Sequence, residues 1–150
     1  MKLSSDKSLY QIGDRAILTA KLLIAPTNSS QEFFLDASLN SQPIKISSQD
    51  GITYYSTSPK IQSVGEHSWE VNLYLQDKRQ ARTLMEAIEN LKNEIAKIEK
   101  ELDSETDPDE RVVLFRKMQQ KEKDILLLKD QLVKLRVKVG AGYSLVFTTE

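Results

Sequence analysis

One arithmetic regularity constrains this chain more than any other feature. Ala81, Leu84, Ile88, Leu91, Ile95, Ile98 and Leu102 recur at alternating spacings of three and four. Leu114, Met118, Ile125, Leu128, Leu132 and Leu135 continue the same repeat further on, with Lys121 at its one polar position. Each set is the apolar seam of a heptad helix. The pairs 81/135, 84/132, 88/128, 91/125, 95/121, 98/118 and 102/114 all share the index sum 216. Facing residues of an antiparallel helix pair have a constant sum, so the two seams close on each other in a single register. An intermolecular coiled coil is the rival arrangement. The matched sum and the short connection favour an intramolecular hairpin.

The connection runs Asp103-Ser104-Glu105-Thr106-Asp107-Pro108-Asp109-Glu110. Asp107 suits an N-cap, Pro108 the first helical position, and Glu110 the far end of an Asp-x-x-Glu capping box. The expected helices are about 78–103 and 108–136, with the tip at Ser104 to Asp107. Between Lys78 and Arg136 there is no glycine and only one proline, and helix formers dominate. This segment holds 14 basic and 13 acidic residues, the texture of a solvated helix surface.

Residues 1–77 read differently, with 6 basic and 8 acidic side chains and frequent turn signals such as Gly13-Asp14, Ser47 to Gly51 and Gly65-Glu66. Phe33, Leu35, Ala37 and Leu39 alternate with polar residues, as do Trp69, Val71, Leu73 and Leu75. Leu18, Ala20, Leu22 and Ile24 alternate with Ile17, Thr19, Lys21 and Leu23, a strand apolar on both sides near its end. Half-buried strands produce this period of two. After Val137 the strand texture returns. Val139-Gly140-Ala141-Gly142 is a bend or bulge signal, and Tyr143, Leu145 and Phe147 mark one last strand. The expected fold is therefore α+β: an antiparallel sandwich from 1–77 and 137–150, with the hairpin of 78–136 inserted before its last strand.

The sequence excludes several function classes. A net charge of −1 argues against a nucleic-acid binder, and Lys78-Arg79-Gln80-Ala81-Arg82 reads as a solvated helix start. No apolar run is long enough to span a bilayer. The absence of cysteine removes disulfides, thiol catalysis and cysteine metal sites. There is no Gly-rich phosphate loop, HExxH or nucleophile elbow. His67 is the only histidine, has no local nucleophile or carboxylate, and is expected on the surface at the start of a strand. The carboxylates from Asp103 to Glu110 lack the glycine and terminal glutamate of a calcium loop. Asn28-Ser29-Ser30 is a glycosylation acceptor that matters only in a eukaryotic secretory setting. No catalytic residue, metal, cofactor or small-molecule substrate is expected.

What the seam leaves over points to protein contact. Of Val112, Val113, Leu114 and Phe115, only Leu114 belongs to the seam, so Val112 or Phe115 is expected outside it, unless Phe115 folds back over Ile98 and Leu102. Leu126, Leu127 and Val133 also fall outside, and would either dock on the sandwich or form a dimer face. The candidate contact residues are Val112, Val113, Phe115, Leu126 and Val133.

The opening Ser5-Asp6-Lys7-Ser8-Leu9-Tyr10-Gln11-Ile12-Gly13-Asp14 resembles the start of bacterial Ig-like and macroglobulin-type modules, in which Asp-Lys, Tyr and Gly-Asp precede the second strand. Gly65 to Leu73 is similar to their penultimate strand. The resemblance covers 3–77 and 137–150, and departs from the pattern where the hairpin replaces a tight turn. It implies an Ig-like sandwich with Greek-key connections, in a surface, secreted or periplasmic protein. Strand patterns that reach both ends of the chain fit a module of a larger protein. The expected function is a non-enzymatic interaction module whose hairpin is a projecting contact arm. A spacer or homo-oligomerisation domain is one alternative, and an adaptor-like part of a bacterial transport or secretion assembly is another. The expected partner is a protein or a second copy, with no nucleic acid and no membrane insertion.

Overall fold

A computed structural model describes all 150 residues, Met1–Glu150. The chain is α+β, and its two helices stand between strands in sequence. It divides into two compact units, Met1–Leu75 with Val137–Glu150, and Gln76–Arg136.

The first unit is built from β1 (Lys2–Ser5), β2 (Leu9–Tyr10), β3 (Ile17–Lys21), β4 (Gln31–Leu39), β5 (Gln42–Ile44), β6 (Ser47–Ser48), β7 (Thr53–Thr57), most of β8 (Gly65–Asp77), β9 (Val137–Lys138) and β10 (Tyr143–Thr149). One sheet has the order β1-β3-β7-β6; the other has β2-β10-β8-β4-β5, with β9 also paired to β8. Taking β1, β3, β4, β6, β7, β8 and β10 as strands A to G, these are the ABED and CFG sheets of an immunoglobulin-type sandwich. A fully antiparallel sandwich is nearly but not wholly what forms, because β2 pairs with β10 in parallel. The segment after the helices also holds two strands instead of one, the short β9 preceding β10.

The alternating patterns place one side chain in two into a shared core. Leu18 and Ala20 of β3 meet Leu35 and Ala37 of β4, Trp69, Val71 and Leu73 of β8, and Phe147 of β10. Trp69, Leu18 and Val71 are completely buried, and each such side chain contributes roughly 1.5–3 kcal/mol before entropy is charged. β3 ends at Lys21, earlier than its apolar run. Leu22 is still buried, whereas Leu23 and Ile24 are exposed beyond the strand. Gly142 has φ +93°, and a Cβ there would come within 2.8 Å of Asn72 Oδ1. Glycine lets β10 start close beside β8.

The opening segment changes sheets between β1 and β2, and Asp6 fixes the crossing. Its Oδ1 accepts from the Tyr10 hydroxyl at 2.5 Å and from the Ile17 amide at 3.0 Å. Its own amide donates to the Ile17 carbonyl at 3.0 Å. Tyr10 is fully buried, edge-on to Phe147 at 5.3 Å. These contacts explain why an Asp and a Tyr four residues apart open the sandwich.

Candidate functional site

The second unit is the helical hairpin. Helix α1 spans Lys78–Ser104 and α2 spans Pro108–Leu135, 27 and 28 residues, each about 40 Å long at 1.5 Å per residue. Asp77 caps α1 by accepting from the Gln80 amide at 2.9 Å. Asp107 caps α2 by accepting from the Asp109 amide at 3.0 Å, and Pro108 occupies the first turn. The expected reciprocal bond from Glu110 is replaced. The Asp107 amide donates to Glu105 Oε1 at 3.0 Å, a shorter reach within the same loop.

The seam falls where its spacing places it. Ala81, Ile88, Ile98 and Ile125 are buried, and the other apolar seam residues of both helices are half-buried while most of their helical neighbours are exposed. Lys121, the polar seam residue, sends its Nζ to Glu94 Oε2 at 2.8 Å. Their indices sum to 215, one short of the seam value, as neighbours across the same register should. Arg111 closes the tip: its guanidinium donates to the carbonyls of Leu102 and Glu105, satisfying helix-end acceptors of α1. Sequence patterning missed this residue, because an arginine seven positions past the end of α1 carries no capping signature of its own.

All five candidate contact residues are exposed on α2. Val112, Val113 and Phe115 are each about half exposed, and Leu126 and Val133 are more than 60% exposed. Leu127 and, on α1, Met85 are exposed as well. Phe115 does not close over the tip completely. It lines an open groove of about 570 Å³ with Leu102, Val112 and Met118, rimmed by Glu99, Asp103, Arg111, Arg116 and Gln119. An aromatic ring beside a mixed-charge rim suits a peptide or protein surface better than a small polar metabolite.

The one histidine corrects the sequence reading. His67 is buried, only 7% exposed, and stacks on Phe147 at 5.2 Å. Asn40 Oδ1 accepts from the Ser68 amide at 2.9 Å, which turns its Nδ2 toward His67 Nδ1, also at 2.9 Å. Nδ1 is therefore an acceptor, and Nε2 carries the proton donated to the Ser63 carbonyl at 3.2 Å. Position-two alternation from Trp69 places His67 on the core side, a signal that outweighs its closeness to the turn. No group of three or more His, Asp or Glu is arranged to hold a metal ion. No helix is long and apolar enough to cross a membrane.

No protein-family model and no curated protein matches the chain. Among solved structures it is similar to a polysaccharide lyase, at 18% identity and a TM-score of 0.38, over 47% of this chain. The chain spans 9% of that protein's length.

Proposed function

We propose that this chain is a non-enzymatic protein-interaction module in which an Ig-like sandwich carries a helical hairpin as the contact element. The observation that carries the reading is the row of large apolar side chains on α2 that the seam leaves uncovered: Val112, Phe115, Leu126 and Val133. A hairpin whose own core is complete has no internal use for them, and exposed aromatic and branched residues of this kind commonly anchor partners. The side chains nearest to general acid–base chemistry are committed elsewhere, His67 to Asn40 and the Ser63 carbonyl. The strand order and the Asp6–Tyr10 contact support kinship with bacterial Ig-like and macroglobulin-type modules. With that kinship goes a place in a larger surface, secreted or periplasmic protein.

The test is photo-crosslinking from positions 115 and 126 in cells expressing the chain, with position 53 of the sandwich as control. Adducts are expected from the two hairpin positions. A second arm deletes residues 80–134 and joins the ends with a short glycine linker, with burial of Trp69 read by fluorescence to establish that the sandwich still folds. A folded deletion variant that still co-purifies with every protein crosslinked from positions 115 and 126 would overturn the reading.

A further inference from the structure

Two properties of the hairpin are self-complementary. The first is spacing. Phe115, Gln119, Glu122, Leu126, Lys129 and Val133 follow one another at alternating steps of four and three, a second stripe on α2 beside the seam. All six are exposed. Laid antiparallel against itself, this stripe closes in one register: 115/133, 119/129 and 122/126 all sum to 248. Phe115 then faces Val133 at both ends of the overlap, and the two Leu126 side chains flank the two-fold axis near position 124. The polar residues Gln119 and Lys129 also pair with each other, so the apolar ends face no charge, and Glu122 meets Leu126 beside the axis.

The second property is charge. Residues 99–111, around the tip, hold seven acidic and two basic side chains, a net charge of −5. The base, residues 78–82 and 129–136, holds six basic and one acidic, a net charge of +5. An antiparallel pair brings each acidic tip to the other copy's basic base, whereas a parallel pair sets like against like. A partner that fits the tip must be basic and carry apolar anchors, and the base of a second hairpin has both.

We propose that two copies of this chain associate through the Phe115–Val133 stripe of α2, antiparallel and two-fold symmetric. The proposal rests on the reading of the hairpin as the contact element and names its partner. An isologous contact of this kind uses one patch twice and closes without leaving a free edge.

The chain contains no cysteine, so engineered pairs report cleanly. In the purified chain, Phe115→Cys mixed with Val133→Cys is expected to form a mixed disulfide dimer under mild oxidation. Either variant alone is expected to remain uncrosslinked, because like positions would lie about 27 Å apart along the helices. Sedimentation equilibrium should show a monomer–dimer exchange that Phe115→Ser weakens about tenfold or more and that high salt weakens through loss of the tip-to-base attraction. Phe115→Cys crosslinking to itself, or no crosslink in the mixture, overturns the antiparallel pair. A wild-type chain that stays monomeric at every concentration overturns self-association. That last result leaves crosslinking to other proteins, which decides the contact-element reading separately.

Discussion

The Tyr10 hydroxyl donates to Asp6 Oδ1 at 2.5 Å, joining the two short strands by which the chain passes from one sheet to the other. The bond from Tyr10 is the main reason the Asp6 carboxyl titrates below its ordinary value; burial opposes it less strongly, and the still smaller effect of the Ile17 amide lowers it further. A carboxyl depressed in the folded state adds stability that is present above its unfolded value, about 3.9, and lost as pH falls through the folded one. Asp50, held low by the amides of Thr53 and Ile52, acts in the same direction. The sandwich should therefore lose stability below about pH 4. In Tyr10→Phe the Asp6 carboxyl should move back up, and the protein should lose about 1 kcal/mol at neutral pH. NMR titration of Asp6 in both proteins checks this, and an unchanged titration in the variant would show that Tyr10 is not the cause.

Lys121 interrupts an otherwise apolar seam, and its ammonium leaves the seam to reach Glu94 on α1. Both side chains are substantially exposed, so the ion pair itself is worth less than about 1 kcal/mol. Leucine at position 121 would place its side chain, half-buried like most of the seam, against Ile95, its partner by the constant sum, with a gain of about 1 kcal/mol. Lys121→Leu should raise the melting temperature followed at 222 nm, and Glu94→Ala should leave it nearly unchanged. A lower melting temperature for Lys121→Leu would mean that the lysine is needed to hold the register.

Which parts of this architecture the sequence discloses depends on whether local pattern or long-range contact decides them. The seam from Ala81 to Leu135 is legible because a heptad is a local repeat and its antiparallel closure is a matter of counting. The core faces of β4, β8 and β10 are legible for the same reason at period two. The parallel pairing of β2 with β10 is not, because two residues near one end of the chain carry no sign of a partner more than 130 positions away. Nor is the capping role of Arg111, which depends on where the tip turns. His67 fell between two signals: its neighbouring turn suggested the surface, while its even spacing from Trp69, Val71 and Leu73 placed it in the core. The exposure of Val112, Phe115, Leu126 and Val133 follows from what a two-helix seam can cover. The proposed partner that would cover them leaves a trace in a single chain only where the chain complements itself.

Arg111 should be the most consequential polar residue at the tip. It donates to two carbonyls near the end of α1 while standing in the first turn of α2, so it ties the helices together beyond the last seam pair. Arg111→Ala leaves those acceptors to solvent and should cost about 1 kcal/mol. The effect should be local. Hydrogen exchange at the Glu105 amide, which donates to Glu101, should quicken, while amides near Ile88 and Ile125 hold. Uniform loss of protection along both helices would instead assign Arg111 a role in the stability of the whole hairpin.

Asn40 joins β4 to β8 through three bonds at a strained backbone position. Its φ is +50°, its amide donates to the Ser68 carbonyl at 2.8 Å, and its side chain bridges the Ser68 amide and His67 Nδ1. Asparagine tolerates this conformation better than most residues. Asn40→Asp keeps size and backbone preference but replaces the donor facing Nδ1 with an acceptor. The neutral ring then cannot serve both neighbours, because its one proton must go either to the new carboxylate or to the Ser63 carbonyl; an imidazolium, with a proton on each nitrogen, donates to both. While the ring is neutral the substitution should cost about 1–3 kcal/mol, and nitrogen chemical shifts of the imidazole should report a proton on Nδ1, which accepts in the parent protein. Asn40→Gly separates the two contributions. It relieves the positive φ, so any stability it loses beyond that of a glycine in a permitted turn belongs to the side-chain bridge. If Asn40→Gly proves as stable as the parent, the bridge orients His67 without stabilising the sandwich.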